Sequence, residues 1–314
     1  MRKSYSDCSG CSLCLLVCPV WRQSRDVSLT PHGHAKALQN GSSAVEIVAS
    51  AGHCTLCMAC EPVCPENIDI IGMILELRSK METPAWLRSL QARMEERGGR
   101  SIASAPASAV MLLPDEALHM QPDTLARAAA LLGIPIGEDD GSDISLALES
   151  GTAILQQRLQ RLLGPLHQMK KIVVADGLLL RHLKQWLPNV NVISLGEALS
   201  SHAGARRGLR PTDLYVIEPR AYHSDYQRLV KHYDRLRKER GCDFNLDLQR
   251  IAIPVTARNL PQRLGLAAPN YDGQTRWVLH GRSIARIVVE SLEDRAVFER
   301  VSDVPVVHLA ELAG

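Results

Sequence analysis

The sequence predicts an α+β protein, with a small, mostly helical cysteine-rich domain followed by a tandem, pseudo-two-fold α/β region. Three observations predict it. Eight of the nine cysteines fall before residue 65, in two copies of one spacing. Beyond about residue 108 strand-like and helix-like stretches alternate, the pattern of α/β units around a largely parallel sheet. Segments of that second part also echo one another along the chain. The expected organisation is a cysteine-rich domain over residues 1–80, a helix and linker over 81–108, and two α/β units over 109–205 and 206–314. A chain of 314 residues is long enough for such a division.

Composition removes several classes of function. Hydrophobic residues make up 46% of the chain, enough for a sizeable core, and the net charge of +2 gives no sequence-independent pull toward nucleic acid or anionic membrane. Aromatic residues are only 4%, so surfaces for stacking bases are scarce and no nucleic-acid partner is expected. The start, Met1 to Asp7, offers no apolar signal-peptide stretch, and no later segment approaches the roughly 18 apolar residues of a spanning helix. The expected location is cytoplasmic, or peripheral at the inner face of a membrane through a partner. Thiols stay reduced in the cytosol, so clustered cysteines there point to metal rather than disulfides.

Cys8, Cys11, Cys14 and Cys18 form the first run, and Cys54, Cys57, Cys60 and Cys64 the second. Both read C-x2-C-x2-C-x3-C-P, closed by Pro19 and Pro65. This is the spacing of bacterial ferredoxins with two [4Fe-4S] clusters, in which the fourth cysteine of each run serves the other cluster. Three thiolates at three-residue intervals can wrap three corners of a cubane in one tight loop, leaving the fourth corner to a distant cysteine. The expected ligand sets are therefore Cys8, Cys11, Cys14 and Cys64 for one cluster, and Cys54, Cys57, Cys60 and Cys18 for the other. The competing reading is a pair of structural zinc sites, but zinc modules present separated C-x2-C pairs and have no use for a third cysteine followed by C-P. The residues between the cysteines, from Leu13 to Val17 and from Leu56 to Val63, are mainly apolar and predict a low-dielectric wrap.

The segment between Cys18 and Cys54 is too long for a minimal hairpin. Pro31, Gly33 and Gly41 punctuate helix-compatible stretches at Ala35 to Gln39 and Ala44 to Ser50. Ile68, Ile70, Ile71, Met73, Ile74, Leu75 and Leu77 follow on helical spacing and are expected to pack back on the cysteines. His32, His34 and His53 lie near the runs, but eight thiolates already complete two cubanes, so these are expected to be supporting or surface groups. Met81 to Ser108 reads as a helix ending in a linker.

Candidate strands in the second part are Ala109 to Leu113, Lys171 to Ala175, Asn191 to Ser194, Asp213 to Ile217, Arg286 to Val289 and Pro305 to His308, with helices such as Pro122 to Leu132 and Ser224 to Arg240. Lys171-Ile172-Val173-Val174 is echoed by Arg286-Ile287-Val288-Val289, 115 positions on, and Glu197 by Glu311, 114 positions on. A second echo pairs Val110 to Pro114 with Leu214 to Pro219. The second echo has a shorter offset; two copies of one α/β unit are the expected reading, the alternative being that buried strands, generically rich in Val and Ile, look alike without duplication.

On the two runs and the intervening Thr30-Pro31-His32-Gly33-His34, the chain resembles the iron-sulfur subunits grouped with glycolate oxidase, anaerobic glycerol-3-phosphate dehydrogenase, lactate-utilisation proteins and heterodisulfide reductase subunits C and D. That phrase is similar to the family's Ser-Pro-Arg-Gly-Arg element, with His at both Arg positions. The resemblance implies electron transfer between a flavoprotein dehydrogenase and a membrane carrier or quinone, and two C-terminal cysteine-rich domains with Cys-Cys-Gly signatures. Here those cysteines are missing. Asp139-Asp140-Gly141 stands where a Cys-Cys-Gly is expected, Asp115 or Glu116 near a first cysteine, and Glu218-Pro219-Arg220-Ala221 where the second copy would carry Pro-Cys. Carboxylates replace soft thiolates poorly at iron-sulfur clusters.

The expected function is an electron-transfer subunit with two [4Fe-4S] clusters and a degenerate, cluster-free α/β scaffold, partnered by a flavoprotein dehydrogenase and a quinone-reducing membrane subunit. The alternative is an assembly adapter whose clusters are structural. Disulfide reduction ranks low without the missing cysteines, and no triad, phosphate loop or hydrolase motif is present. Cys242 follows a basic helix whose Arg235, Arg237, Lys238 and Arg240 could lower its pKa, but it reads as an ordinary helix-end residue.

Overall fold

The computed structural model describes residues 2–98, 109–255 and 270–313. The linker expected up to Ser108 therefore lies largely outside the described residues. Residues 2–78 are helical, with helices α1 (Leu13–Val17), α2 (Pro19–Ser24), α3 (Pro31–Gln39), α4 (Ala44–Ala51) and α5 (Ile70–Arg78). Local chemistry sets each start. Thr30 caps α3 by accepting from the Gly33 N–H at 3.2 Å, with Pro31 in the first turn. Gly33 is required there because a Cβ would lie 2.0 Å from the Val27 carbonyl oxygen. Ser43 and Glu46 form a capping box on α4, and Asp69 caps α5 through the Gly72 N–H.

Helix α6 (Ala85–Gly98) leads to the α/β half, burying Leu87 and Met94 against Leu146. There β1 (Val110–Leu113) is followed by α7 (Glu116–His119), α8 (Pro122–Leu132), α9 (Ser142–Ser150) and α10 (Gln156–Leu166). Next come β2 (Lys171–Val174), α11 (Gly177–Trp186), β3 (Asn191–Ser194), α12 (Leu195–Ser201) and α13 (Ala203–Arg207). The chain continues through β4 (Asp213–Val216), α14 (Pro219–Ser224), α15 (Tyr226–Arg240) and β5 (Asp243–Phe244). It closes with α16 (Tyr271–Leu279), β6 (Arg286–Val289), α17 (Leu292–Val301) and β7 (Val306–His308).

Among the described residues the strands pair in parallel, in two sheets of order β1-β2-β3 and β5-β4-β6-β7. The echoed segments occupy equivalent places: β1 beside β2 as β4 beside β6, with β2-α11-β3 repeated as β6-α17-β7. Even the extra strand has a counterpart, because Ile136 bridges Leu112 after a left-handed Gly133 as Phe244 pairs Tyr215 after a left-handed Gly241. One core spans both sheets, joining Leu112, Val173 and Ile193 to Tyr215, Val288 and Leu309.

Two sequence expectations need adjustment. The helix expected from Ser224 to Arg240 is two, broken where Asp225 leaves helical geometry at φ −136°. Leu13 and Leu16, expected to wrap the cysteines, are 40% and 57% exposed, because α1 lies on the surface. No helix among the described residues is long and apolar enough to cross a membrane.

Candidate iron-sulfur centres

Left-handed turns shape both cysteine loops. Ser12 (φ 64°) in the first, and Leu56 (φ 52°) and Met58 (φ 63°) in the second, adopt conformations that non-glycine residues rarely take. The last two are fully buried, so their side chains pack inward while the loop backbone curls round the sulfurs. N–H groups already point at sulfur: Leu56 donates to Cys54, Ala59 to Cys57, and Val20 and Trp21 to Cys18. Hydrogen bonds to sulfur are among the means by which a protein tunes an iron-sulfur group.

The fourth cysteine of each run lies with the other run. Cys8, Cys11, Cys14 and Cys64 line one cavity, walled by Pro31, Ala35, Ile68, Ile70 and Met73. Cys18 lies close enough to Cys54 and Cys57 to feel their charge. The two groups differ in depth: Cys11 is exposed and Cys8, Cys14 and Cys64 are half-buried, whereas Cys18, Cys54, Cys57 and Cys60 are all buried. Burial pushes the Cys57 thiol up to about 11 and Cys14 up to about 12, so such thiols give up their protons at neutral pH only to a metal. Among the described residues, no three His, Cys, Asp or Glu side chains gather closely enough to bind a single ion. The surface set lines a cavity with apolar walls and the buried set receives backbone N–H bonds, and each arrangement fits a cubane of several irons.

Of the nearby histidines, His34 is buried and its Nε2 lies 2.9 Å from Ser50 Oγ, while His32 lines the surface cavity. Burial holds His34 down at about 4, in the neutral form.

Sequence reasoning missed the buried cations behind the second run. Arg78, 1% exposed, donates to the carbonyls of Ala51, Gly52 and Cys54, and at 2.5 Å to that of Glu149. Arg220, 4% exposed, donates to the Thr55 carbonyl at 3.0 Å and to Glu149 Oε1 at 2.6 Å. His223 Nδ1 donates to the Cys57 carbonyl at 2.7 Å, its Nε2 accepting from the Ala252 N–H. Arg181 donates to both carboxylate oxygens of Glu61, next to Cys60. One signal was available: Arg78 continues the Ile70, Ile74 stripe of its helix. Partners on α11 and α14 left no local mark.

The residues expected at the family's C-terminal cysteine positions separate in space. Asp115, Glu218 and Arg220 line one cavity at the carboxyl ends of β1, β2, β4 and β6, together with Asp176, Ser291 and Asp294. Asp139 and Asp140 lie elsewhere, the first gripped by Arg158 at 2.7 and 2.8 Å, the second paired with His119. Cys242 is buried behind Gly241, and that burial pushes its thiol up to about 12 despite the basic helix.

A family model described as a 4Fe-4S dicluster domain matches residues 4–68. No curated protein and no solved structure matched the chain. The N-terminal domain is thus a ferredoxin-like 4Fe-4S domain, and the chain an iron-sulfur protein with the electron-transfer role that such domains carry.

Proposed function

We propose that the chain is an electron-transfer subunit that holds two [4Fe-4S] clusters, one on Cys8, Cys11, Cys14 and Cys64 and one on Cys54, Cys57, Cys60 and Cys18. It relays electrons between a flavoprotein dehydrogenase and a downstream acceptor, a quinone or another carrier. It belongs on this reading with the iron-sulfur subunits of glycolate oxidase, anaerobic glycerol-3-phosphate dehydrogenase, lactate utilisation and heterodisulfide reductase, its α/β units being cysteine-rich domains that have lost their clusters. The observation that carries it is the difference in depth between the two sets of cysteines. Bound clusters would supply one-electron redox chemistry. The chain's residues hold one set at the surface, where a partner's centre can approach, and seat the other inside, shielded from water.

The α/β half binds the second cysteine loop and leaves its outer faces for partners, which makes sense of a scaffold kept without its metal. Any membrane link would run through a partner. The test is purification of the native complex under anaerobic conditions. A flavoprotein should co-purify, and its substrate should bleach the visible absorption of the clusters, with reoxidation on adding a quinone. Clusters that stay oxidised while the complex turns over would favour the adapter reading instead.

A further inference from the structure

We infer that Arg220 and Glu149 shift the reduction potential of the buried centre in opposite senses, Arg220 raising it and Glu149 lowering it. This rests on the two-cluster reading and goes beyond it by naming the residues that tune one centre. One-electron reduction of a [4Fe-4S] centre adds a negative charge and needs no proton, so a fixed cation nearby stabilises the reduced form, most strongly where water is excluded.

The surroundings differ in that respect. Arg78 and Arg220 stand behind the loop from Cys54 to Cys57, both buried, and Glu149 accepts from both, with its backbone carbonyl from Arg78 and its carboxylate from Arg220. Arg78 donates to the Cys54 carbonyl and Arg220 to the Thr55 carbonyl, which sets both guanidinium groups against the backbone of this loop. Glu61, the other buried carboxylate of this loop, is already paired with Arg181 and Arg2. Beside the surface cysteines the Lys3–Glu66 pair is solvent-exposed, where water and salt screen it. Arg220 comes from α14, far along the chain, so the α/β half is an electrostatic seat as well as a support. Arg220 is a positioning residue: it bonds the Thr55 carbonyl rather than a sulfur.

Potentiometric titration of the full-length protein with dithionite, followed by paramagnetic resonance, tests this; the signal lost in Cys11→Ser marks the surface centre. Arg220→Gln should lower the midpoint of the buried centre so that its reduced fraction at fixed potential falls about tenfold, about 59 mV for one electron. Glu149→Gln, nearly isosteric, should move it the opposite way, Arg220→Lys should hold it near wild type, and the surface centre should not move. Opposite shifts from neighbouring variants report charge, which loss of packing would not produce. Wild-type protein with fewer than two [4Fe-4S] centres would overturn the two-cluster reading and this inference with it. Full iron content with an unmoved midpoint, or with both variants shifting the same way, would overturn the inference alone.

Discussion

Arg181 of α11 holds Glu61, the residue after Cys60, at 2.5 and 3.2 Å, and both side chains are buried. The contact joins the cysteine loop to the α/β half. Removing one partner of a buried pair costs about 3–5 kcal/mol when the other charge is left uncompensated, but Glu61 keeps Arg2 and the Ile71 N–H. Arg181→Met should therefore lower stability by less than that, about 1–3 kcal/mol in denaturant unfolding. Arg161→Met, which breaks the exposed pair with Glu95, should cost less than about 1 kcal/mol.

Gly177 packs the start of α11 directly against α14. A Cβ there would lie 2.5 Å from the Ala221 nitrogen and 2.6 Å from Arg220 Cβ, and neither can swing aside. Gly177→Ala should cost about 1–3 kcal/mol as overpacking, read as a lower unfolding midpoint. Gly164→Ala, where a Cβ would meet nothing within 4 Å, is the matched control and should be neutral or stabilising.

Glu290 predicts a pH dependence. Burial pushes its carboxyl up to about 7 against hydrogen bonds from Tyr215, Tyr233 and the Glu218 N–H. A carboxyl raised above its unfolded value of 4.5 contributes stability that is complete below 4.5 and lost as pH rises through about 7. Buried His34 and His308, held down at about 4, act in the opposite sense as pH falls below 6.5. The difference between wild type and Glu290→Gln isolates the carboxyl, and it should shift by a few kcal/mol between those limits, on the order of 1.4 per pH unit. A difference independent of pH would contradict the assignment.

The exchange of fourth cysteines predicts crossed damage. Cys18→Ser should impair the centre held by the second run, and Cys64→Ser that held by the first, although each lies in the other run. Paramagnetic resonance of the reduced variants distinguishes the two. Loss of the centre in the mutated residue's own run would mean that each motif closes on itself.

The parts legible in sequence were those written in local repetition. The doubled cysteine spacing marked the N-terminal domain, and runs such as Ile172 to Val174 and Ile287 to Val289 marked the parallel strands, since fully buried strands are continuously apolar. The echo between them anticipated the matching strand orders. Less visible were features decided by distant partners. Asp243–Phe244 is only a pair of residues, too short to signal a strand, and forms one because β4 offers an open edge. Arg220 read as the relic of a lost ligand; its partners Thr55 and Glu149 lie 165 and 71 positions away, and only the fold brings them together. Leu13 and Leu16 read as buried because composition cannot tell which side of a short helix faces water.

The central claim is that this chain binds two four-iron clusters through its eight N-terminal cysteines. Iron and acid-labile sulfide, measured per chain after anaerobic purification, test it most directly. The account predicts about eight of each, as two cubanes require. Stoichiometric zinc, or about four irons with the second run unoccupied, would contradict it.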